Sequence, residues 1–222
     1  WTYTDSRTLT DGSYVYQVRV LDLAGNTGPV VSKTVVVDTI NPTATPTIVS
    51  YTDDVGQRQG TLSSSQATDD TTPLLNGVLS GPLASGEVVY LYRNGLLLGA
   101  VTMVGALNWT YSDSGLVSGA YTYSARVVDL AGNVGQTATQ NVVVDTTGPE
   151  AAKSITITGI SDDTGASSSD FITSDTSLTV RGVLGAALGA NEFAQISTDN
   201  GATWVNVTVA ADGLNWSYVD GR

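Results

Sequence analysis

A stretch of 23 residues occurs twice in this chain. Val127 to Pro149 reads VVDLAGNVGQTATQNVVVDTTGP, and Val20 to Pro42 reads VLDLAGNTGPVVSKTVVVDTINP. The copies share the DLAGN turn, the VVVDT exit and the position of the proline, which marks a tandem repeat and fixes the frame for everything else. Trp1 opens WTYTDS, Trp109 opens WTYSDS and Trp216 opens WSYVD, so the period is about one small domain. The VVVDT segments are the joints. They divide the sequence into the tail of one repeat over residues 1–40, a complete repeat over 41–146 and the front of a variant repeat over 147–222. With no initiator Met and both ends inside a repeat, the expectation is a segment of a longer array.

Within residues 41–146 seven strands are predicted: Pro46 to Tyr51, Leu74 to Leu79 after a long acidic loop, Glu87 to Tyr92, Leu96 to Thr102, Leu107 to Tyr111, Ala120 to Asp129 and Gln136 to Asp145. Asn94-Gly95 supplies a two-residue hairpin turn. Seven short strands with turn signals at this spacing indicate an all-β, Greek-key, Ig-like β-sandwich. Along Ala120 to Asp129 the residues Tyr121, Tyr123, Ala125 and Val127 share one face, matched by Tyr14, Tyr16, Val18 and Val20 in the first copy, and that face should be the core. Tyr121 and Tyr14 stand where Ig-like folds place a tyrosine corner. Tyr123 and Tyr16 stand where antibody domains have cysteine. The variant repeat has predicted strands at Leu178 to Leu184, Glu192 to Ser197 and Trp204 to Val209, with a hairpin turn at Asp199-Asn200-Gly201. Lacking its last two strands, it cannot close its apolar face alone.

Composition then limits the chemistry. The chain has no Cys and no His, which excludes disulfides, thiolate or imidazole zinc sites, and Ser-His-Asp or Cys-His nucleophilic catalysis. Net charge is −12, which argues against nucleic acid or an anionic membrane as partner and favours cations. No apolar run approaches the length of a membrane helix. The acids sit in loops rather than in a cleft, so a carboxylate pair for glycoside hydrolysis is not expected, and the chain reads as non-enzymatic.

The acidic loops are the candidate sites. Asp53-Asp54 and Asp69-Asp70 bracket the first long loop of the complete repeat, and Asp162-Asp163, Asp170 and Asp175 do so in the variant one. Adjacent carboxylates repel, and a calcium ion taking 6 to 8 oxygen ligands relieves that repulsion. The alternative is that they are solvated turns, since Asp is a favoured turn residue. In a sandwich of this topology Asp145 can join Asp69 or Asp70, Asp113 and, from the next repeat, Glu192. At the earlier joint Asp38 can meet Glu87, with Asp129 and Asn133 nearby. Asp22 and Asp129 in DLAGN are read either as calcium ligands or as caps bonding to backbone N–H groups. Tyr90 with Tyr92, and Tyr121 with Tyr123, have the spacing of a sugar-stacking platform, but on a sandwich strand such pairs pack on the sheet or in the core.

Taken as an ordered set, TDDVG, TDDTTPLLNG, LASGE, NWTYS, SGAYTYSARVVDLAGN and VVVDTTGP resemble the bacterial Ig-like repeats of giant type I-secreted adhesins, such as the biofilm-associated protein family and the large Salmonella non-fimbrial adhesin type. The resemblance covers nearly the whole chain, and STDNGATW with WSY looks like the variant repeat of such arrays. It implies a stiff extracellular rod on a Gram-negative cell surface, serving cell adhesion or biofilm formation, with calcium at the joints and neighbouring Ig-like repeats as partners. Linker residues Asp38 and Asp145 and the paired aspartates stand where the family motifs have them. Two rivals remain: a glycan- or protein-binding module, and an accessory domain of a secreted hydrolase.

Overall fold

The computed structural model describes residues 1–56, 58–64 and 66–222. It separates into two compact units, Trp1–Thr147 and Gly148–Arg222. The first contains strands β1 (Gly12–Val18), β2 (Val31–Val37), β3 (Pro46–Asp53), β4 (Gly60–Leu62), β5 (Ala67–Thr68), β6 (Leu74–Leu79), β7 (Val88–Arg93), β8 (Leu96–Ala100), β9 (Thr102–Val104), β10 (Asn108–Ser112), β11 (Gly119–Val128) and β12 (Val134–Val144). Strands β1 and β2 form an antiparallel hairpin. The others form two five-stranded sheets, β4-β3-β6-β10-β9 and β5-β12-β11-β7-β8, which is an Ig-like β-sandwich.

Alternation along the strands places the core. On β11, Tyr123, Ala125 and Val127 are fully buried, and they meet Val142 and Val144 of β12, Val89 and Leu91 of β7, and Tyr51 and Leu75 of the facing sheet in one cluster. Asn94 and Gly95 both have positive φ, 51° and 83°, as a two-residue turn between Arg93 and Leu96 requires. Trp109 on β10 is buried against Gly77 of β6, where a Cβ would stand 2.0 Å from the indole. The corner is formed as expected. Tyr121 Oη donates to Val117 O at 2.9 Å and accepts from Val117 N, and Tyr14 makes the same pair of bonds to Thr10.

Two features differ from the seven-strand expectation. The long acidic loop is structured: β4 folds back on β3, and β5 crosses to the other sheet and runs parallel to β12. Tyr51 on β3 donates a hydrogen bond to Gln66 O and so pins the approach to β5. The segment expected as one strand from Leu96 to Thr102 breaks at Val101, because the chain changes sheets there. β8 pairs with β7, while β9 pairs with β10.

The second unit contains β13 (Ile155–Ile160), β14 (Thr179–Leu184), β15 (Gln195–Ile196), β16 (Val205–Asn206), β17 (Thr208–Val209) and β18 (Asn215–Val219), preceded by a short 3-10 turn at Ala151–Lys153. Its sheets are β13-β14-β18-β17 and β15-β16. Trp216 repeats the packing of Trp109, with Gly182 in the place of Gly77. The buried apolar cluster reduces to Leu184, Ala194 and Trp216, while Ile157, Phe193 and Trp204 are exposed. Strands β15, β16 and β17 are shorter than the sequence pattern predicts. The Asp199 turn is nonetheless closed by bonds from Thr203 and Ser197, which hold its carboxyl down at about 2.

Candidate functional site

Among the described residues, no group of three or more carboxylates is arranged to hold a metal ion. The acids of the complete repeat fall at its two ends.

At the end where β12 leaves the sandwich, Thr68 is the hub. Its hydroxyl donates to Asp53 Oδ2 at 2.7 Å and accepts from Asp70 N at 3.0 Å, and its carbonyl accepts from Asp145 N at 2.8 Å. Asp53 and Asp70 are almost completely buried, and each caps its own turn, Asp53 through Val55 N and Asp70 through Thr72 N. The topology thus brings Asp53, Asp70 and the backbone of Asp145 together. Asp69 lies over Gly56, and both Asp69 and Asp54 are exposed. Asp145 Oδ1 accepts from Thr147, which depresses its pKa.

Asp113, expected as a calcium ligand beside Asp145, has a different occupation. It is buried, its Oδ2 accepts from Tyr123 Oη at 2.6 Å and Arg93 Nη1 at 2.8 Å, and its Oδ1 accepts from Ser114 N. A carboxylate already neutralised by a guanidinium has no charge left to recruit an ion. Burial and the Asp113 carboxylate push the Tyr123 phenol well above its ordinary value. The first copy repeats the trio: Tyr16 Oη donates to Asp5 Oδ2 at 2.6 Å, and Arg7 forms a fork on the same carboxylate. Arg222 holds Asp220 in the same way. Sequence reasoning missed this assembly. Its signal was the Asp four residues after each of Trp1, Trp109 and Trp216.

Glu192 is likewise spoken for within its own unit. Both of its oxygens accept from Lys153 Nζ, at 2.8 and 2.7 Å, and Oε2 also accepts from Gly189 N. The Gly189 bond and the Lys153 ammonium lower its pKa. In the same unit Asp163 Oδ2 caps Phe171 N, Asp170 caps Ile172 N, Asp175 caps Ser177 N, and Asp162 accepts at its carbonyl from Thr173. Asp163 Oδ1 is buried without a hydrogen-bond partner.

At the opposite end of the complete repeat, DLAGN is a closed turn. Asp129 Oδ1 accepts from the backbone N of Ala131 and Asn133, both at 2.9 Å, and Oδ2 accepts from Asn133 Nδ2 at 2.8 Å. These bonds, the Asn133 side chain foremost, pull the Asp129 pKa below the usual carboxylate range. Asp22 makes the equivalent bonds to Asn26, with the same consequence. Asn133 Nδ2 also donates to Asp38 O at 3.1 Å, so the turn reaches the linker. Asp38 Oδ1 itself accepts from Ile40 N, and Glu87 turns back to cap Ala84 N. Asp38 and Asn133 therefore meet through a backbone carbonyl, and Glu87 stays in its own loop.

The test for a calcium site follows from these partners. Asp22, Asp129, Asp113 and Glu192 have their oxygens engaged by N–H or cationic donors and do not fit one. The exposed acids Asp54 and Asp69, and Asp145 through the oxygen that does not bond Thr147, adjoin one end of the sandwich and keep the chemistry of hard oxygen donors. Nor is there a sugar platform at the tyrosine pairs. Arg126 stacks over Tyr92 with its guanidinium 4.4 Å from the ring centre, Tyr121 is held in the corner and Tyr123 is buried. No described helix is long and apolar enough to cross a membrane.

Comparison with known proteins matches this architecture. Exoglucanase B of Cellulomonas fimi is 28% identical over 225 residues, covering 97% of this chain and 19% of that enzyme's length. The chain therefore spans about a fifth of that relative. The family described as bacterial Ig-like domain matches residues 1–39 and 44–146, the two stretches that the repeat frame separates at the linker. With well over half of its residues so matched and a sandwich of the right strand order, the chain belongs to the bacterial Ig-like domain family.

Proposed function

We propose that this chain is a non-enzymatic spacer segment of an extracellular bacterial protein, a run of Ig-like repeats with stiff joints that serves adhesion or biofilm formation within a large surface adhesin. The observation that supports the reading best is the linker between residues 38 and 46. Pro42 and Ala44 are buried against the complete repeat, and Asp38 O is gripped by its Asn133. A linker packed into the following repeat restricts bending, which is what a spacer needs and a flexible tether lacks. Calcium is the finer part of the proposal. Asp54, Asp69 and Asp145 would supply oxygen ligands where β12 leaves the sandwich, and a bound cation would have to draw together carboxylates that do not form a preformed site.

Calorimetric titration with calcium, with parallel thermal melts in chelator, tests that part. Saturable binding and a higher melting temperature are expected, both weakened by Asp145→Asn. Melts unchanged by calcium or chelator would remove the metal from the proposal. A second reading, an accessory module of a secreted glycanase, is favoured by the likeness to Exoglucanase B. Retention of the chain on insoluble cellulose separates the two: a spacer washes through, and specific retention would overturn the spacer reading in favour of the accessory one.

A further inference from the structure

The DLAGN turn contains more than a chain reversal needs. A hairpin loop is satisfied once Asp129 caps Ala131 N and Asn133 N, yet Asn133 Nδ2 also donates to Asp129 Oδ2, which fixes the orientation of the side-chain amide. That amide, so aimed, donates to Asp38 O on the incoming linker. Two residues later Gly135 lets the linker lie close. A Cβ there would be 3.0 Å from Pro42 O and 3.3 Å from Pro42 Cβ, tighter than side-chain contacts ordinarily are. Pro42 is buried as a result. Pro149, at the same place in the second VVVDT linker, is exposed in a unit that contains no DLAGN turn. The first copy has the same parts: Asn26 oriented by Asp22, and Gly28 two residues on, where a Cβ would meet only Val20 across the same loop.

We infer that the asparagine of DLAGN and the glycine two residues after it form a docking site for the backbone of the linker that enters each repeat, a latch that sets the joint without metal. Its ligand is an extended Asp-Thr-x-x-Pro segment, recognised through the aspartate carbonyl and the proline ring rather than through any side-chain charge. Asn133 and Gly135 hold Asp38 to Pro42, and Asn26 with Gly28 offers the same site to another such segment. The inference deepens the spacer reading and rests on it for the tandem arrangement, while standing apart from the calcium proposed at the other end of the repeat.

The test is amide hydrogen exchange, read by mass spectrometry, on the linker peptides of the whole chain in chelator. Losing one hydrogen bond of ordinary net strength shifts an open–closed equilibrium by roughly three- to tenfold, so Asn133→Ala should accelerate exchange across residues 38–45 by about that factor. The peptides of β11 and the distal half of β12 should exchange as before. Gly135→Ala discriminates by sign. Replacing a glycine of ordinary φ stabilises a chain that has room for the methyl, whereas a docked linker is pushed off and exchanges faster. Unchanged or slower linker exchange in both variants would overturn the latch, as would an effect of Asn133→Ala seen only when calcium is present. If the melts ignore calcium while both variants loosen the linker, the metal is lost from the proposal and the latch stands.

Discussion

Asp113→Ala is the sharpest perturbation of the complete repeat. The carboxylate is buried and holds the buried Tyr123 hydroxyl at 2.6 Å and Arg93 at 2.8 Å. Removing it leaves the phenol O–H without an acceptor, at a cost of about 1–3 kcal/mol, and breaks a charge-assisted pair. The Arg93 side chain is 28% exposed, so its guanidinium can recover water, which puts the total near the lower end of the range for a broken buried pair, about 3 kcal/mol. Tyr123→Phe removes only the donor. Asp113 keeps Arg93 and Ser114 N, and the cost should be about 1–2 kcal/mol. At about 4 °C per kcal/mol for a unit of this size, scanning calorimetry should show the transition of the complete repeat falling by about 12 °C for the alanine variant and about 4–8 °C for the phenylalanine variant. In the double variant the losses should not add, because both singles delete the same bond. An alanine variant melting within about 3 °C of wild type, or strict additivity in the double, would refute the reasoning that this buried trio ties β7 and β11 to the segment after β10.

Two further outcomes follow from the packing and the titration of the repeat. Gly77→Ala places a methyl 2.0 Å from the Trp109 indole and 2.5 Å from Thr47 O, neither of which can retreat within a filled core, so thermal melts should show a loss of about 3 kcal/mol or more. The Asp129 carboxyl is depressed by its N–H donors, so its contribution is fully present above the ordinary Asp value of about 4 and is lost as pH falls through the lower folded value. The Asn133 side-chain amide resonance should therefore shift only in strongly acid solution, and a transition near pH 4 or above would contradict the hydrogen bonds assigned to it.

Much of the fold was legible because its causes are local. The period-two alternation of Tyr121, Tyr123, Ala125 and Val127, the Asn94-Gly95 turn and the corner tyrosine each follow from a few consecutive residues, and each lies where the pattern placed it. What the pattern did not reach depends on partners distant in the chain. The crossing of β5 to the other sheet is decided by its pairing with Val143 and Val144, some 76 residues further on, and two strand residues are too few to register as a periodicity. The role of Asp113 is decided by Arg93, 20 residues earlier, and Tyr123, 10 later. Read by composition alone, Asp113 is one more acid at a loop and resembles its exposed neighbours. Burial is the property that separates them, and burial is a consequence of the completed sandwich.

The repeat itself contains the comparison that resolves such cases. Asp5, Asp113 and Asp220 hold the same place relative to a tryptophan, and each is bonded to an arginine, but the arginine comes from two different positions: two residues on for Asp5 and Asp220, and from β7 for Asp113. A cation kept at the carboxylate while its source changes means that the charge balance is the constrained quantity. The same test applied to the linker aspartates gives the other answer. Asp38 and Asp145 recur without any basic residue bonded to either carboxylate among the described residues, and each caps the residue two positions on. In a chain of net charge −12, an exposed linker acid without a cation of its own is what the calcium proposal rests on, and Asp145 is the one beside Asp69. This is why Asp145→Asn, rather than any change at Asp113 or Glu192, is the substitution that decides the calcium proposal.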